Sequence, residues 1–254
     1  MTKFTVNRKQ FAVMLNSFGN TIGDLRLRTG DHLLTGTVGL YSHYLSLSIP
    51  CKVEKAGRVA IGDLNRVRSF LKGGADDLTV QQQGESKMLY LTCGNSKIHL
   101  PGVSKVESHQ HAGVIERLLV DCANSQWTEW SGKAVGCSGV LTKTAVRDII
   151  NIHSVLGENS LYTVEYHTKE SEIVVKAGRQ SKGRMFVTLP VDNAKGGGTY
   201  HTSNFGANFP ILLKSLPEGD LTVHLGEAVP IIFRHESSGT LLMVFDCDYE
   251  EGWE

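Results

Sequence analysis

Residue types able to do chemistry are plentiful in this chain, with ten histidines and five cysteines, but their spacing does not assemble a reaction centre. A hydrolase elbow needs Gly-x-Ser-x-Gly on a sharp strand-to-helix turn. The nearest run, Gly136-Cys137-Ser138-Gly139, has the wrong glycine spacing. A phosphate loop needs spaced glycines at the opening of a helix, whereas Gly84-Glu85-Ser86-Lys87 sits in a hairpin turn between two strand-like runs. No Cys-x-x-Cys or His-x-x-x-His pair occurs, and His109 with His111 lacks a third ligand nearby in sequence. His153, on a helix flank, suits an interface or phosphate-facing role better than that of a base. The expectation is a non-enzymatic protein needing neither cofactor nor metal.

The spacing does support binding to a polyanion. Sequence-independent DNA binding needs Lys, Arg and small polar groups on one face of rigid elements. Four helix-like segments carry such a face at three-to-four residue spacing. The first offers Arg8, Lys9, Asn16 and Asn20 around apolar Phe11, Val13, Met14, Leu15 and Phe18. The second packs through Leu64, Val67, Phe70 and Leu71 and leaves Asn65, Arg66, Arg68 and Lys72 outside. In the third, Ala145, Val146, Ile149, Ile150, Ile152 and Val155 oppose Lys143, Arg147, Asn151 and Ser154. The short fourth offers Asn208, Lys214 and Ser215. Asp148 is the only carboxylate in these helices beyond a first turn. The expected DNA-facing set is therefore Arg8, Lys9, Asn16, Arg66, Arg68, Lys72, Lys143, Arg147, Asn151 and Lys214.

The elements that position these residues repeat along the chain. Asp77-Leu78-Thr79-Val80 recurs as Asp220-Leu221-Thr222-Val223, and each copy follows a helix ending in Leu-Lys and a Gly or Pro breaker. Ala12-Val13 likewise matches Ala145-Val146 in the helices that open the two halves. Each half reads as helix, then alternating strands, then helix and three strands joined by turns. Further strands are expected at residues 3–6, 24–28, 33–38, 44–51, 58–61, 162–167, 172–177 and 184–189. The fold class is α+β, with two pseudo-repeated domains, each of two helices on antiparallel sheets. The boundaries fall at 1–102 and 121–254, with residues 103–120 a connector leading into the first strand of the second half. The loop Gly73–Asp77 and the run Asn193–Gly198 read as flexible breakers.

At 254 residues the chain can bury two cores of ordinary size, and its 26 basic and 26 acidic residues cancel. Any attraction to nucleic acid must come from charge segregated onto particular faces. No apolar stretch approaches a membrane span and no signal-like segment opens the chain, so an intracellular protein with no membrane partner is expected. The scattered, odd-numbered cysteines read as reduced and largely buried.

A duplicated unit of two basic helices and many strands resembles the DNA sliding clamp family of proliferating-cell nuclear antigen, the T-even phage clamp and the bacterial clamp. The opening KFTVNRKQFAVML and the run GRVAIGDLNRVRSFLKGGADDLTVQQQGESKMLYLTCGNSKIHLPGV look like the first domain of bacterial clamps. The ending PEGDLTVHLGEAVPIIFRHESSGTLLMVFDCDYEE is similar to the carboxy end of proliferating-cell nuclear antigen. The resemblance implies a six-domain ring, which two domains per chain complete as a homotrimer. It also implies location at replicating DNA and, as partners, double-stranded DNA, a DNA polymerase, a clamp loader and other proteins carrying clamp-binding peptides. Because GLYSHYLSLS resembles the family's pocket strand, the resemblance places Leu40, His43 and Tyr44 in a peptide pocket, facing Pro230, Val244 and Asp246. For Leu40 and Tyr44 ordinary strand packing is an equal alternative. Asp246 departs from the small apolar residue common there, and the neutral charge departs from the family's acidic exterior, as in a virus-encoded or otherwise divergent clamp. The alternative reading is a clamp-fold scaffold, hetero-ring subunit or decoy that binds clamp partners without encircling DNA.

Overall fold

The computed structural model describes residues 1–19, 22–156, 161–167, 169–170, 172–179, 183–190, 192–195, 199–205, 208–226 and 229–245. They belong to two compact units, one of residues 1–40 and 45–113, the other of residues 41–44 and 114 onward. Among the described residues no helix is long and apolar enough to cross a membrane.

The first unit contains β1 (Thr2–Asn7), α1 (Arg8–Ser17), β2 (Leu25–Gly30), β3 (Leu33–Gly39), β4 (His43–Lys55) from Leu45 onward, β5 (Gly57–Ile61), α2 (Leu64–Phe70), β6 (Asp77–Gln82), β7 (Leu89–Cys93) and β8 (Ser96–Leu100). Strand neighbours run β5-β2-β3-β4-β1-β6-β7-β8. Alternation in the sequence sets which side chains enter the core. Phe4 and Val6 of β1, Leu78 and Val80 of β6, and Leu89 and Leu91 of β7 are buried, as are Phe11, Met14 and Leu15 of α1 and Leu64 and Val67 of α2. Asn7 starts α1 by accepting from the Lys9 and Gln10 amides, and Asp63 starts α2 by accepting from the Arg66 amide. The turn at Gly84–Lys87 is held from below. The buried Gln82 carboxamide accepts from the Ala60 amide at 2.9 Å and donates to the Lys87 carbonyl at 2.9 Å.

The second unit repeats this order, with two strands, β14 and β15, where the first has the long β4: β11 (Cys137–Leu141), α4 (Lys143–Leu156), β12 (Leu161–His167), β13 (Glu172–Arg179), β14 (Gly183–Pro190), β15 (Asp192–Lys195), β16 (Thr199–Phe205), α5 (Asn208–Lys214), β17 (Leu221–Leu225), β18 (Ile231–His235) and β19 (Thr240–Val244). One sheet runs β15-β11-β17-β18-β19 and the other β14-β13-β12-β16. The recurring Asp-Leu-Thr-Val stretches occupy equivalent strands: Leu78 of β6 pairs with Val6 of β1, and Leu221 of β17 pairs with Leu141 of β11. The run from Asn193 is no breaker through Lys195, because β15 pairs with β11 as β4 pairs with β1. Gly196–Gly198 lie outside the described residues.

The connecting segment departs most from expectation. Its start is tied to the first unit by Asp24, whose carboxylate accepts from the Glu107 and Ser108 amides. A fifth helix, α3 (Ala112–Asn124), follows, and then a short hairpin of β9 (Glu129–Trp130) and β10 (Lys133–Ala134). Only four helices were expected. Ile115, Leu118, Leu119 and Cys122 supply a helical period that the polar Val106–His111 stretch masks. The first turn of α3 lies against Gly39, where an added Cβ would come within 2.6 Å of the Ala112 backbone. Backbone cannot give way as a side-chain tip can. Gly39→Ala is expected to lower stability by about 1–3 kcal/mol in urea denaturation. Gly113→Ala, where a Cβ meets nothing within 4 Å, should be neutral or slightly stabilising.

Candidate nucleic-acid interface

The solvent face of α1 shows Lys9, Gln10, Val13 and Asn16, and that of α2 shows Asn65, Arg66 and Ser69, with exposed Lys72 just beyond its end. Val13 is 66% exposed, so it belongs to this face and not to the packing side expected of it. Two of the expected DNA-facing arginines are committed elsewhere. Arg8 donates through Nε to the Ala75 carbonyl at 2.9 Å and through Nη1 to Leu71 at 2.5 Å. Arg68 donates through Nη2 to the Leu15 and Gly19 carbonyls at 2.9 and 2.6 Å, and through Nη1 to Asn65 at 3.0 Å. It thereby supplies donors to the carbonyl end of α1, which the helix itself cannot satisfy. Burial lowers its pKa from the usual value for an arginine. Both arginines are structural ties between chain segments of the first unit.

The other cations of this unit are softer contacts. Lys9 Nζ lies 3.5 Å from Asp76, and Arg66 lies 3.7 Å from Asp63, all four side chains being largely exposed. Lys72 has no carboxylate within ion-pair distance among the described residues.

In the second unit, α4 exposes Thr144, Arg147, Asp148, Asn151, Ser154 and Val155, with Lys143 half-buried at its start. Val155 is 71% exposed and, like Val13, is corrected to the outward face. Lys143 contacts Glu218 at 2.5 Å and Arg147 contacts the same carboxylate at 3.4 Å. These contacts, led by the Lys143 hydrogen bond, hold Glu218 below the usual glutamate value. Asp220 accepts from the Lys143 amide at 3.0 Å. Glu218 is thus shared by two cations, Asp220 accepts from the helix backbone beside them and Asp148 is exposed on the same helix, so this end of the face carries three carboxylates against two cations and is not net basic. Lys214, exposed at the end of α5, occupies the repeat position of Lys72 and likewise has no ion-pair partner among the described residues. The sequence signal for the carboxylates was available: Asp76 and Glu218 lie one and two residues before the recurring Asp-Leu-Thr-Val.

The expected peptide-pocket residues divide differently. Leu40 is half-buried at the end of its first-unit segment, while His43 and Tyr44 join the second unit with Pro230 and Val244. There the Phe245 amide donates to the Ser42 carbonyl at 3.0 Å, bringing residues 42–44 beside the end of β19. Tyr44 and Val244 are each 4% exposed and Pro230 is buried, whereas His43 is half-buried and Tyr41 exposed. Burial pulls the His43 imidazole down to about 4. Asp246 lies outside the described residues.

The hairpin after α3 shapes a further cluster that sequence reasoning missed. The Trp127 indole stacks on His224 with ring centroids 5.0 Å apart, and the Arg234 guanidinium lies 4.2 Å from the Trp127 ring centre. His224 is buried with neither ring nitrogen hydrogen-bonded. Burial, with the Arg234 charge adding to it, lowers its pKa to about 4. Of the nucleophile candidates, burial pushes the Cys137 thiol up to about 12, leaving almost no thiolate at neutral pH.

No protein-family model matches the sequence, and no curated protein matches it. Solved structures do match in fold. The beta subunit of DNA polymerase III from Thermotoga maritima superposes with a TM-score of 0.71 at 14% identity, covering 96% of this chain and 65% of that one. The Helicobacter pylori beta clamp bound to a DNA ligase peptide gives 0.69 at 11% identity, covering 97% and 66%. A. fulgidus PCNA bound to the C-terminal region of FEN-1 gives 0.64 at 10% identity, covering 96% and 98%. The chain therefore spans about two thirds of the bacterial clamp subunits and nearly all of the archaeal-length chain, and its fold is that of the DNA sliding clamps.

Two outcomes follow from these placements. Arg68→Ala should destabilise the protein by about 1.5–3 kcal/mol in denaturant titration, and Arg68→Lys should recover only part of it, because an ammonium cannot bridge both carbonyls as the fork does. The second concerns acid. His224 stays neutral in the folded protein down to about pH 4 but protonates near 6.5 when unfolded, so below 6.5 the unfolded state binds the extra proton. Acidification from pH 8 to 5 should cost roughly 2 kcal/mol from this residue, and His224→Phe should lack that share of the loss.

Proposed function

We propose that this chain is a DNA polymerase processivity factor, a sliding clamp subunit that encircles duplex DNA at replication sites and tethers a polymerase and other replication or repair proteins. The reading rests on the clamp fold together with one local observation. Lys72 and Lys214, the two expected DNA-facing cations with neither an ion-pair partner nor a side-chain bond to a backbone carbonyl among the described residues, occupy the same position of the repeated unit. In a ring of such units the helices face the duplex, and two lysines per chain recur around it at equivalent places, contacting phosphates without reading bases. Asn16, Arg66, Asn151 and the cations at the starts of α1 and α4 supplement them. No step of chemistry is required, and the assembly that two domains per chain closes is a homotrimer. A clamp loader opens it, and partner peptides dock beside His43, Tyr44, Pro230 and Val244; clamps of this fold have been solved bound to the C-terminal region of FEN-1 and to a DNA ligase peptide.

One observation favours the second reading, a clamp-fold scaffold or hetero-ring subunit that does not circle DNA: most of the expected cations are held by carboxylates or backbone carbonyls of the same unit. Native mass separates the two readings. A trimer that lengthens primer extension by its polymerase in the presence of a loader is expected, whereas a monomer with no polymerase effect would exclude the clamp reading. Lys72→Ala with Lys214→Ala should leave the trimer intact and make duplex binding less salt-dependent, the slope of log K against log salt falling by about 0.9 for each phosphate that is no longer neutralised.

A further inference from the structure

The loop that follows the second helix is built alike in both units. In the first it leaves α2 with Lys72 and reaches Asp76, beside Lys9 on α1. In the second it leaves α5 with Lys214 and reaches Glu218, beside Lys143 and Arg147 on α4. Each loop thus begins with an unpaired lysine and ends with a carboxylate laid on the cations that open the first helix. The loops have different sequences, GGAD and SLPE, so the placement recurs although the residues do not.

Stability does not account for these pairs. Glu218 is 74% exposed and Asp76 72%, and exposed ion pairs of this kind contribute little to folding. Their effect is on the field outside. A carboxylate at ion-pair distance offers the cation the same kind of acceptor as a phosphate oxygen, so DNA must displace it to make the contact.

We infer that Asp76 and Glu218 are built-in competitors of the DNA phosphates, holding Lys9, Lys143 and Arg147 in readiness while keeping their hold on the duplex weak. The inference rests on the clamp reading and deepens it: a ring that retains DNA by topology moves along it only if each phosphate contact exchanges easily. Lys72 and Lys214 then provide the standing attraction, and the carboxylate-held cations provide exchangeable contacts.

The test uses the full chain carrying Asp76→Asn and Glu218→Gln, with fluorescence anisotropy on a labelled non-specific duplex across a salt series. Affinity at low salt should rise about 3- to 10-fold, and the salt slope should steepen by about 0.9 for each cation released to a phosphate. The melting temperature should move by no more than about 4 °C, as befits exposed pairs. Glu54→Gln is the charge control, because Glu54 pairs with Lys3, whose side chain lies on the sheet face opposite the buried Phe4. It should leave affinity and slope at the wild-type values. If wild type binds duplex and the double variant matches it in affinity and slope, the inference is overturned while the clamp reading stands. An equal gain from Glu54→Gln would reduce the effect to net charge and also overturn it. If wild type shows no salt-dependent binding at all, the clamp reading falls and takes the inference with it.

Discussion

The first unit depends on a half-buried cation whose Nη2 donors are taken up by backbone carbonyls. A helix ends with carbonyls that no residue of its own can satisfy, and here those of Leu15 and Gly19 at the end of α1 receive the Arg68 guanidinium from α2. Because the fork is planar and fixed, it sets the lateral placement of α1 against α2, which packing of Leu and Val alone leaves adjustable by fractions of an ångström. The exposed positions Lys9, Asn16, Arg66 and Lys72 inherit their spacing from that join. In the second unit the short helix α5 is seated by apolar contacts instead. Phe209 of α5 lies between Tyr162 of β12 and Phe233 of β18, with ring centroids 5.9 and 6.1 Å away. Aromatic contact there ties α5 to its sheets, whereas in the first unit the Arg68 cation ties α2 to α1.

Much of this architecture was legible in the sequence because it rests on period and repetition. The alternation in Thr2–Asn7 and Asp77–Gln82 fixed strands with one buried face, and the recurring Asp-Leu-Thr-Val marked equivalent strands in both units. Arg68 was not legible. Its spacing from Lys72 puts both on the outer side of one short helix, and only the position of α1 decides that one caps carbonyls while the other meets water. Val13 and Val155 failed for a related reason: composition placed them with the core, but the helix turns them outward. The strand at Asp192–Lys195 was hidden because its residues are poor strand formers, and pairing with β11 overrides their local preference.

Charge was legible as a total and misleading as a pattern. The helices carry few acids of their own, which is why the face reads as basic along the sequence. The neutralising carboxylates come from loops distant in sequence, Asp76 some 67 residues beyond Lys9 and Glu218 some 75 beyond Lys143. A helix-by-helix reading cannot see them. The potential at the start of α4 is therefore set by tertiary structure, and of the expected DNA-facing cations only Lys72 and Lys214 have neither a carboxylate nor a carbonyl partner for the side chain among the described residues.

The connector shows how an insertion is held without joining either repeat. The turn before its hairpin places Gln126 and Trp127 at φ of 56° and 63°, and the hairpin places Ser131 at 49°, where side chains other than glycine are disfavoured. Such backbone persists only where its surroundings over-determine it. Here the ring of Trp127 lies on His224 and meets Arg234, Trp130 is 1% exposed, and Gly226 admits the Ala134 carbonyl to within 2.4 Å of where a Cβ would stand. The cost is visible in His224, a buried imidazole whose two nitrogens lack partners and which burial, with the neighbouring guanidinium adding to it, keeps neutral. The hairpin is thus fixed by shape and by a neutral ring stack, and protonating that ring introduces a second cation near Arg234, with no hydrogen-bond partner for either ring nitrogen among the described residues.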